Sequence, residues 1–225
     1  MRAASAPLSD SIEEYLEAIH RFSAMPRGAS TSRLADRLRV KPASVTGMLK
    51  RLSGLGLITY RRYHDIALTE EGERRAHDVV RRHRLAERLL TDVLKVPLDQ
   101  VHEEACRLEH AVSPELLPRL AAALGSPESC PHGHPVDAAT HDDTIALTEA
   151  PPGVTLSIAR LDDETPEVVR YLAERRLVPG ARVTIRELEP LGGAVEIEAA
   201  GHRHTLGYRL ASSLRVSPPK RRRTS

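Results

Sequence analysis

Apolar positions recur with helical spacing over the first half of the chain and with strand-like alternation after position 154. Ile12, Tyr15, Leu16 and Ile19 form one stripe and predict a helix over 10–22, with Ser9 or Asp10 as its cap and Glu13 and Glu14 suited to its first turn. Leu34, Ala35 and Leu38 predict a short helix over 31–38. Val45, Leu49 and Leu52 predict a second over 43–55, with Pro42 near its first position. The alternation in 57–69 predicts a β-hairpin with its tip at 62–65. Helical spacing resumes from 69 to about 94, where Thr69 can cap and Gly72 weakens the helix little so near its end. It recurs from Pro97 to about Val112, and from a Ser113-Pro114-Glu115 cap to Leu124.

Beyond position 125 the pattern breaks. Pro127, Pro131, Pro135, Pro151 and Pro152 predict a linker containing a Pro-His-Gly-His-Pro turn. Short strands follow over 154–158, 182–187, 194–199 and 202–206, interrupted by one helix over 165–175, and 210–216 closes the domain. A small barrel fits these strands. The fold class expected is mainly α with a small β-barrel. The domains would be 1–73, 74–140 and 154–217, with a linker at 141–153 and a basic tail, 218–225, read as disordered.

Two short helices joined by a tight turn and followed by a hairpin make a winged helix-turn-helix. Ser44, Thr46, Gly47, Lys50 and Arg51 lie on the outer face of the second helix. Small hydroxyl residues let backbone approach base edges, and Lys and Arg reach phosphates. Thr31 and Lys41 flank that element, and Arg61 and Arg62 on the wing would reach the backbone or minor groove. The plain alternative is a helical hairpin with no ligand. Charge argues against it: residues 1–95 hold 18 Lys/Arg against 12 Asp/Glu, although the whole chain carries only +2. The three following helices suit a dimerisation unit, matching the pseudo-palindromes that winged helices bind.

The richest chemistry is His102-Glu103-Glu104-Ala105-Cys106-Arg107-Leu108-Glu109-His110. Cys106, Glu109 and His110 stand at i, i+3 and i+4, so they can converge on one ion. Thiolate, carboxylate and imidazole together suit a divalent transition metal better than Mg²⁺ or Ca²⁺. His83 and Glu87, at i and i+4 on the preceding helix, need further ligands, and His102 is the nearest donor. Glu14 and Glu17 on the first helix are surface charges or added oxygen ligands. The bland alternative for the whole set is an amphipathic helix with a core Cys. Cys130 with His132, His134 and His141 is read as a plain turn, because its spacing fits no known metal cage.

With two cysteines, no disulfide framework is expected. No N-terminal apolar segment and no run long enough to cross a bilayer is present, so a cytoplasmic protein is expected. Aromatic content is 3%, so the core must rest on Leu, Val, Ala and Ile.

From about Asp10 to Val216 the chain resembles the diphtheria toxin repressor family of iron- and manganese-dependent transcriptional regulators. The resemblance is strongest at Arg82-His83-Arg84-Leu85-Ala86-Glu87-Arg88-Leu89-Leu90-Thr91-Asp92 and at 101–110. The Pro131-His132-Gly133 turn also fits, as does a barrel similar to the SH3-like domain of ferrous-iron transport accessory proteins. The resemblance implies a homodimeric repressor of metal-uptake genes, acting on double-stranded operator DNA and holding two ions per subunit. It implies a regulatory site of Glu14, Cys106, Glu109 and His110. It implies an ancillary site of His83, Glu87 and His102, with Glu164 and Glu167 as acceptors from the barrel. Iron-type members carrying the Cys usually place Met where Glu14 stands, and manganese-type members place an acidic residue there. A hard carboxylate at that position moves preference toward Mn²⁺, while Cys106 pulls back toward Fe²⁺. Mn²⁺ is expected, with Fe²⁺ next, and Glu17 resembles a further manganese-type ligand. No enzymatic activity is expected. The rivals are a winged-helix regulator sensing a non-metal ligand, or a metal-dependent hydrolase with Glu103 as base.

Overall fold

The computed structural model describes residues 8–23, 28–60, 66–140 and 143–218. The chain divides into two compact units, residues 1–82 and 83–225.

In the first unit, α1 (Asp10–Ser23) buries Ile12, Tyr15, Leu16, Ile19 and Phe22, so the predicted stripe is the core face. It packs with Leu34 and Ala35 of α2 (Thr31–Leu38), with Val45, Leu49 and Leu52 of α3 (Pro42–Gly54), and with Leu57, Ile58, Ile66 and Ala76. Local chemistry fixes the turn between α2 and α3. Ser30 caps α2 by accepting from the Arg33 N–H at 3.3 Å. Arg39 ends α2 in the left-handed region, at φ 52°, with its N–H on the Ala35 and Asp36 carbonyls. Lys41 is extended, as a residue before proline prefers, and Pro42 then opens α3 where no N–H is needed. The wing pairs β1 (Ile58–Tyr60) with β2 (Ile66–Leu68) antiparallel, Thr59 opposite Ala67. Its tip, including Arg61 and Arg62, lies outside the described residues.

The helix α4 (Glu70–Arg88) starts at a Thr69 cap whose hydroxyl accepts from the Gly72 N–H at 3.1 Å and donates to the Gly56 carbonyl at 2.7 Å. The glycine matters more than its nearness to the helix end suggests. A Cβ on Gly72 would lie 1.9 Å from the Leu57 carbonyl oxygen, so only a bare Cα lets α4 approach the backbone just before β1.

In the second unit, α4 passes into a wider π-helical turn, Leu89–Val93, marked by a Leu94 N–H to Leu89 carbonyl bond of 3.2 Å. Then come α5 (Val101–Leu108), a 3₁₀ turn over Glu109–Ala111, and α6 (Leu117–Ala123). Two small cores hold this region. Leu85 packs with Val112, Leu117 and Val136, and Ala86 and Leu90 pack with Val101 and Ala105.

The remaining strands are β3 (Ile145–Ala146), β4 (Thr155–Leu161), β5 (Arg182–Leu188), β6 (Val195–Ala199), β7 (His202–Leu206) and β8 (Leu214–Val216). The helices α7 (Pro166–Glu174) and α8 (Tyr208–Ser213) pack on them. The sheet is antiparallel in the order β3-β8-β4-β5-β6-β7 and open, which corrects the closed barrel expected from the strand count. Closure needs the outermost strands to pair, and here β3 has two residues while β7 buries only Leu206. The segment 210–216 that closes the domain is part helix and part strand. Leu210, Ala211 and Leu214 have helical spacing, so 208–213 forms α8 and only 214–216 is strand.

Candidate metal centre

The donor-rich segments converge inside the second unit. His83 and Glu87 lie one turn apart on α4, and His102 and Cys106 one turn apart on α5. Glu109 and His110 follow on the 3₁₀ turn rather than on the α-helix the spacing implied. The 130–134 turn and Glu164, just before α7, complete the set.

Glu87 sits at the centre, 1% exposed. Its Oε1 lies 3.1 Å from His132 Nδ1, 3.2 Å from His83 Nε2 and 3.5 Å from His102 Nδ1. Glu164 reaches the same imidazole, with Oε2 3.6 Å from His102 Nδ1, and its Oε1 lies 2.9 Å from His134 Nε2. On the other flank His83 Nδ1 is 2.6 Å from Glu109 Oε2, and Glu109 Oε1 is 3.4 Å from His110 Nε2. Cys106 Sγ lies 4.0 Å from His102 Nε2. The two donor sets that the spacing kept apart are therefore contiguous through His83 and His102.

The cluster polarises its members. Burial opposes charge on His83, but the Glu87 carboxylate and hydrogen bonds to Cys106, Glu109 and Glu87 outweigh it and raise its pKa well above the ordinary imidazole value. For His102, burial is again outweighed, here by bonds to Cys106 and Glu87 and by the Glu164 charge, and its pKa rises to about 9. Burial would raise Glu87, yet His83 and the bonds from His102 and His132 hold it well below the carboxylate range. The two cysteines diverge. Burial pushes Cys130 well up, aided by the Glu87 and Glu164 charges. Cys106 is pushed up by burial but pulled further down by the two neighbouring imidazoles. Cys106 is thus the readier thiolate and the readier ligand.

The donors fit a transition metal. Glu87 Oε2 is buried and has no hydrogen-bond partner among the described residues, so this carboxylate keeps a free electron pair while its Oε1 takes the imidazole contacts. Two donor triples, His83/His102/Cys106 and Glu87/His102/Glu164, each bring their ligand atoms within 4.8 Å of one another. Nitrogen, oxygen and sulfur donors mixed in this way suit Mn²⁺, Fe²⁺ or Zn²⁺ rather than Mg²⁺ or Ca²⁺.

Of the expected residues, His83, Glu87, His102, Cys106, Glu109, His110 and Glu164 are brought into one cluster. Glu167 instead lies exposed in the first turn of α7. Glu14 is exposed and Glu17 half-buried on α1, in the other unit. Thr31, Lys41, Ser44, Thr46, Gly47, Lys50 and Arg51 are all exposed or half-buried, and the Thr46 hydroxyl donates back to the Pro42 carbonyl at 3.1 Å.

The 130–134 turn forms, with the Gly133 N–H on the Cys130 carbonyl at 2.9 Å, and it packs against Glu87. Cys130 and His132 are 1% and 0% exposed, and with Glu87 they form a further donor triple. Three donors in five residues were a visible signal. Their partner carboxylate stands 45 residues upstream, beyond the reach of any local spacing rule.

A winged helix and a buried nitrogen, oxygen and sulfur donor cluster on one chain define a class, the metal-dependent transcriptional regulators. The matches to known proteins narrow this class. Residues 7–66 match the iron dependent repressor N-terminal DNA binding domain, 69–137 the iron dependent repressor metal binding and dimerisation domain, and 145–218 the FeoA domain. The iron-dependent repressor IdeR of Mycobacterium tuberculosis is 34% identical over 226 residues, covering 93% of this chain and 97% of its own. The diphtheria toxin repressor of Corynebacterium diphtheriae is 35% identical over 129 residues, 57% of each chain. A solved manganese-dependent transcriptional repressor in complex with manganese superposes with a TM-score of 0.85 at 30% identity, covering 92% of this chain and 100% of its own. The chain belongs to the iron-dependent repressor family, whose members are iron- or manganese-dependent transcriptional repressors.

Proposed function

We propose that this protein represses metal-uptake genes by binding a pseudo-palindromic operator as a homodimer when loaded with Mn²⁺, or Fe²⁺ in second place, two ions per subunit. The observation that carries the proposal is the unpartnered buried Glu87 Oε2 among His83, His102 and His132. His83, Glu87 and His102 would hold the ancillary ion with Glu164, joined by His132. Cys106, Glu109 and His110 would hold the regulatory ion, with Glu14 as the ligand that the family resemblance adds. Each ion would supply a positive centre binding segments distant in sequence. Ligands drawn from several segments favour the one conformation that presents them together, so loading shifts the population toward the DNA-competent state by its differential affinity. The acidic Glu14 supports Mn²⁺ over Fe²⁺. An operator-binding repressor works in the cytoplasm, and no described helix is long and apolar enough to cross a membrane.

The test is binding of the dialysed protein to an upstream fragment of a metal-transporter gene, titrating Mn²⁺ and then anaerobic Fe²⁺ at one fixed salt concentration. A large gain with either ion supports the proposal, and the ratio of midpoints ranks the metals. Full-strength binding without any divalent ion would sink it in favour of a non-metal signal.

A further inference from the structure

The first unit holds another set of donors, separate from every residue discussed above. His20 stands in the last turn of α1, and Glu73 and His77 stand one turn apart on α4. Glu73 Oε2 lies 3.1 Å from His20 Nδ1 and 3.5 Å from His77 Nε2. The two imidazoles meet edge to face, with centroids 4.8 Å apart and planes at 80°. One ligand atom from each residue falls within 4.8 Å of the others. Zinc bonds of about 2.0–2.2 Å in a tetrahedron set neighbouring ligand atoms about 3.3–3.6 Å apart. The two measured edges therefore need shifts of only tenths of an ångström to accept an ion.

We propose that His20, Glu73 and His77 form a Zn²⁺ site that clamps the end of α1 to the first half of α4. Two imidazoles and one carboxylate are the ligands zinc takes where a fourth position stays with water. The set has no thiolate, unlike the cluster around Cys106, and too few oxygens for Mg²⁺ or Ca²⁺. The side chains are 22%, 41% and 32% exposed, so an ion can enter and water can occupy the open position. The site would brace the DNA-binding unit with a metal different from the one proposed for the second unit. An ordinary His–Glu–His ion-pair cluster is the competing explanation, and counting bound zinc separates the two.

The experiment compares the full-length chain with its H20Q/H77Q double variant, using competitive titration with Zn²⁺ against a chromophoric chelator. The proposal expects the variant to bind one zinc fewer per chain, or to bind that equivalent at least tenfold more weakly. Co²⁺ substitution should show that the lost equivalent carries no sulfur charge-transfer band. With zinc withheld, Mn²⁺-dependent operator binding should be the same in variant and wild type, because none of the three residues belongs to the second-unit cluster. Should the double variant lose its helical circular dichroism, the single Glu73→Gln variant makes the same comparison. Equal zinc stoichiometry and midpoints in wild type and variant would overturn the proposal.

Discussion

Gly133 is where backbone geometry and the donor cluster meet. It sits between His132 and His134 at φ +91°, a region L-residues rarely occupy. A Cβ there would lie 1.9 Å from the Ala159 carbonyl oxygen and 2.8 Å from the Arg160 Cα. Both obstacles are backbone of β4, so no side-chain rotation relieves them. Moving the turn away would break the Leu161 N–H to His132 carbonyl bond of 2.9 Å and the His134 Nε2 contact to the Leu161 carbonyl at 3.0 Å. Gly133→Ala is therefore expected to lose about 1–2 kcal/mol to the backbone conformation and about 1–3 kcal/mol more to overpacking.

Gly180 supplies the control. Its φ is +90°, nearly the same, but nothing lies within 4 Å of its Cβ position. Gly180→Ala should show the conformational cost alone. Urea unfolding of both metal-free variants isolates the clash as the difference between them. Calorimetric Mn²⁺ titration should then show Gly133→Ala weakened by about 10–100-fold at the Glu87 side of the cluster, the range seen when supporting residues of a metal site are disturbed. Gly180→Ala should bind as wild type. If Gly133→Ala is no less stable than Gly180→Ala, the close approach to β4 does not hold the turn and the reasoning fails.

Further outcomes follow from other residues. Gly72→Ala should destabilise the chain by about 1–3 kcal/mol in thermal or urea unfolding, through contact with the Leu57 carbonyl; helix propensity alone predicts a gain near 1 kcal/mol, so the sign decides. Glu87→Gln, measured with a chelator present, should cost about 1–3 kcal/mol, below the usual loss for a broken buried pair because Glu109 stays 2.6 Å from His83; unaltered stability would mean that Glu87 carries no net pairing. Cys106→Ala should abolish metal-dependent operator binding, and a normal gain with Mn²⁺ in a gel-shift titration would remove Cys106 from the regulatory set. Glu14→Met should shift the response toward Fe²⁺, and an unchanged ratio of Mn²⁺ to Fe²⁺ midpoints would contradict the selectivity argument.

Where function follows local spacing, the sequence was legible. The stripe of α1, the capped turn into α3 and the i, i+4 pairs 83/87 and 102/106 each appear where periodicity put them, because one helical turn fixes which side chains meet. What escaped depends on long-range approach. Gly72 looked like a mild weakness until the Leu57 carbonyl was found against it. The contact of the buried 130–134 turn with Glu87 escaped because that carboxylate is on α4. Strand alternation over 154–206 showed apolar positions but not pairing, so it could not distinguish a closed barrel from an open sheet ending in β7. Glu164 was legible only through family resemblance, since nothing near it in sequence marks a metal ligand.

The cluster is also poorly explained as a device for stability alone. Glu87 and Glu109 are each 1% exposed, and withdrawing a carboxylate from water costs several kcal/mol, offset only when its oxygens are well paired. Glu109 meets the condition through His83 and His110, with each oxygen facing an imidazole nitrogen. Glu87 does not, for one oxygen faces three imidazoles while the other faces none of its hydrogen-bonding neighbours. Leaving a buried acceptor unsatisfied costs roughly 1–3 kcal/mol. A chain shaped only by folding would gain by replacing the whole donor cluster with well-packed apolar side chains. The donors that persist there, together with a cysteine tuned toward its thiolate by the same imidazoles, make sense when the second oxygen is a ligand atom. The folding penalty is then recovered on loading, which is how a regulator couples its conformation to the metal it senses.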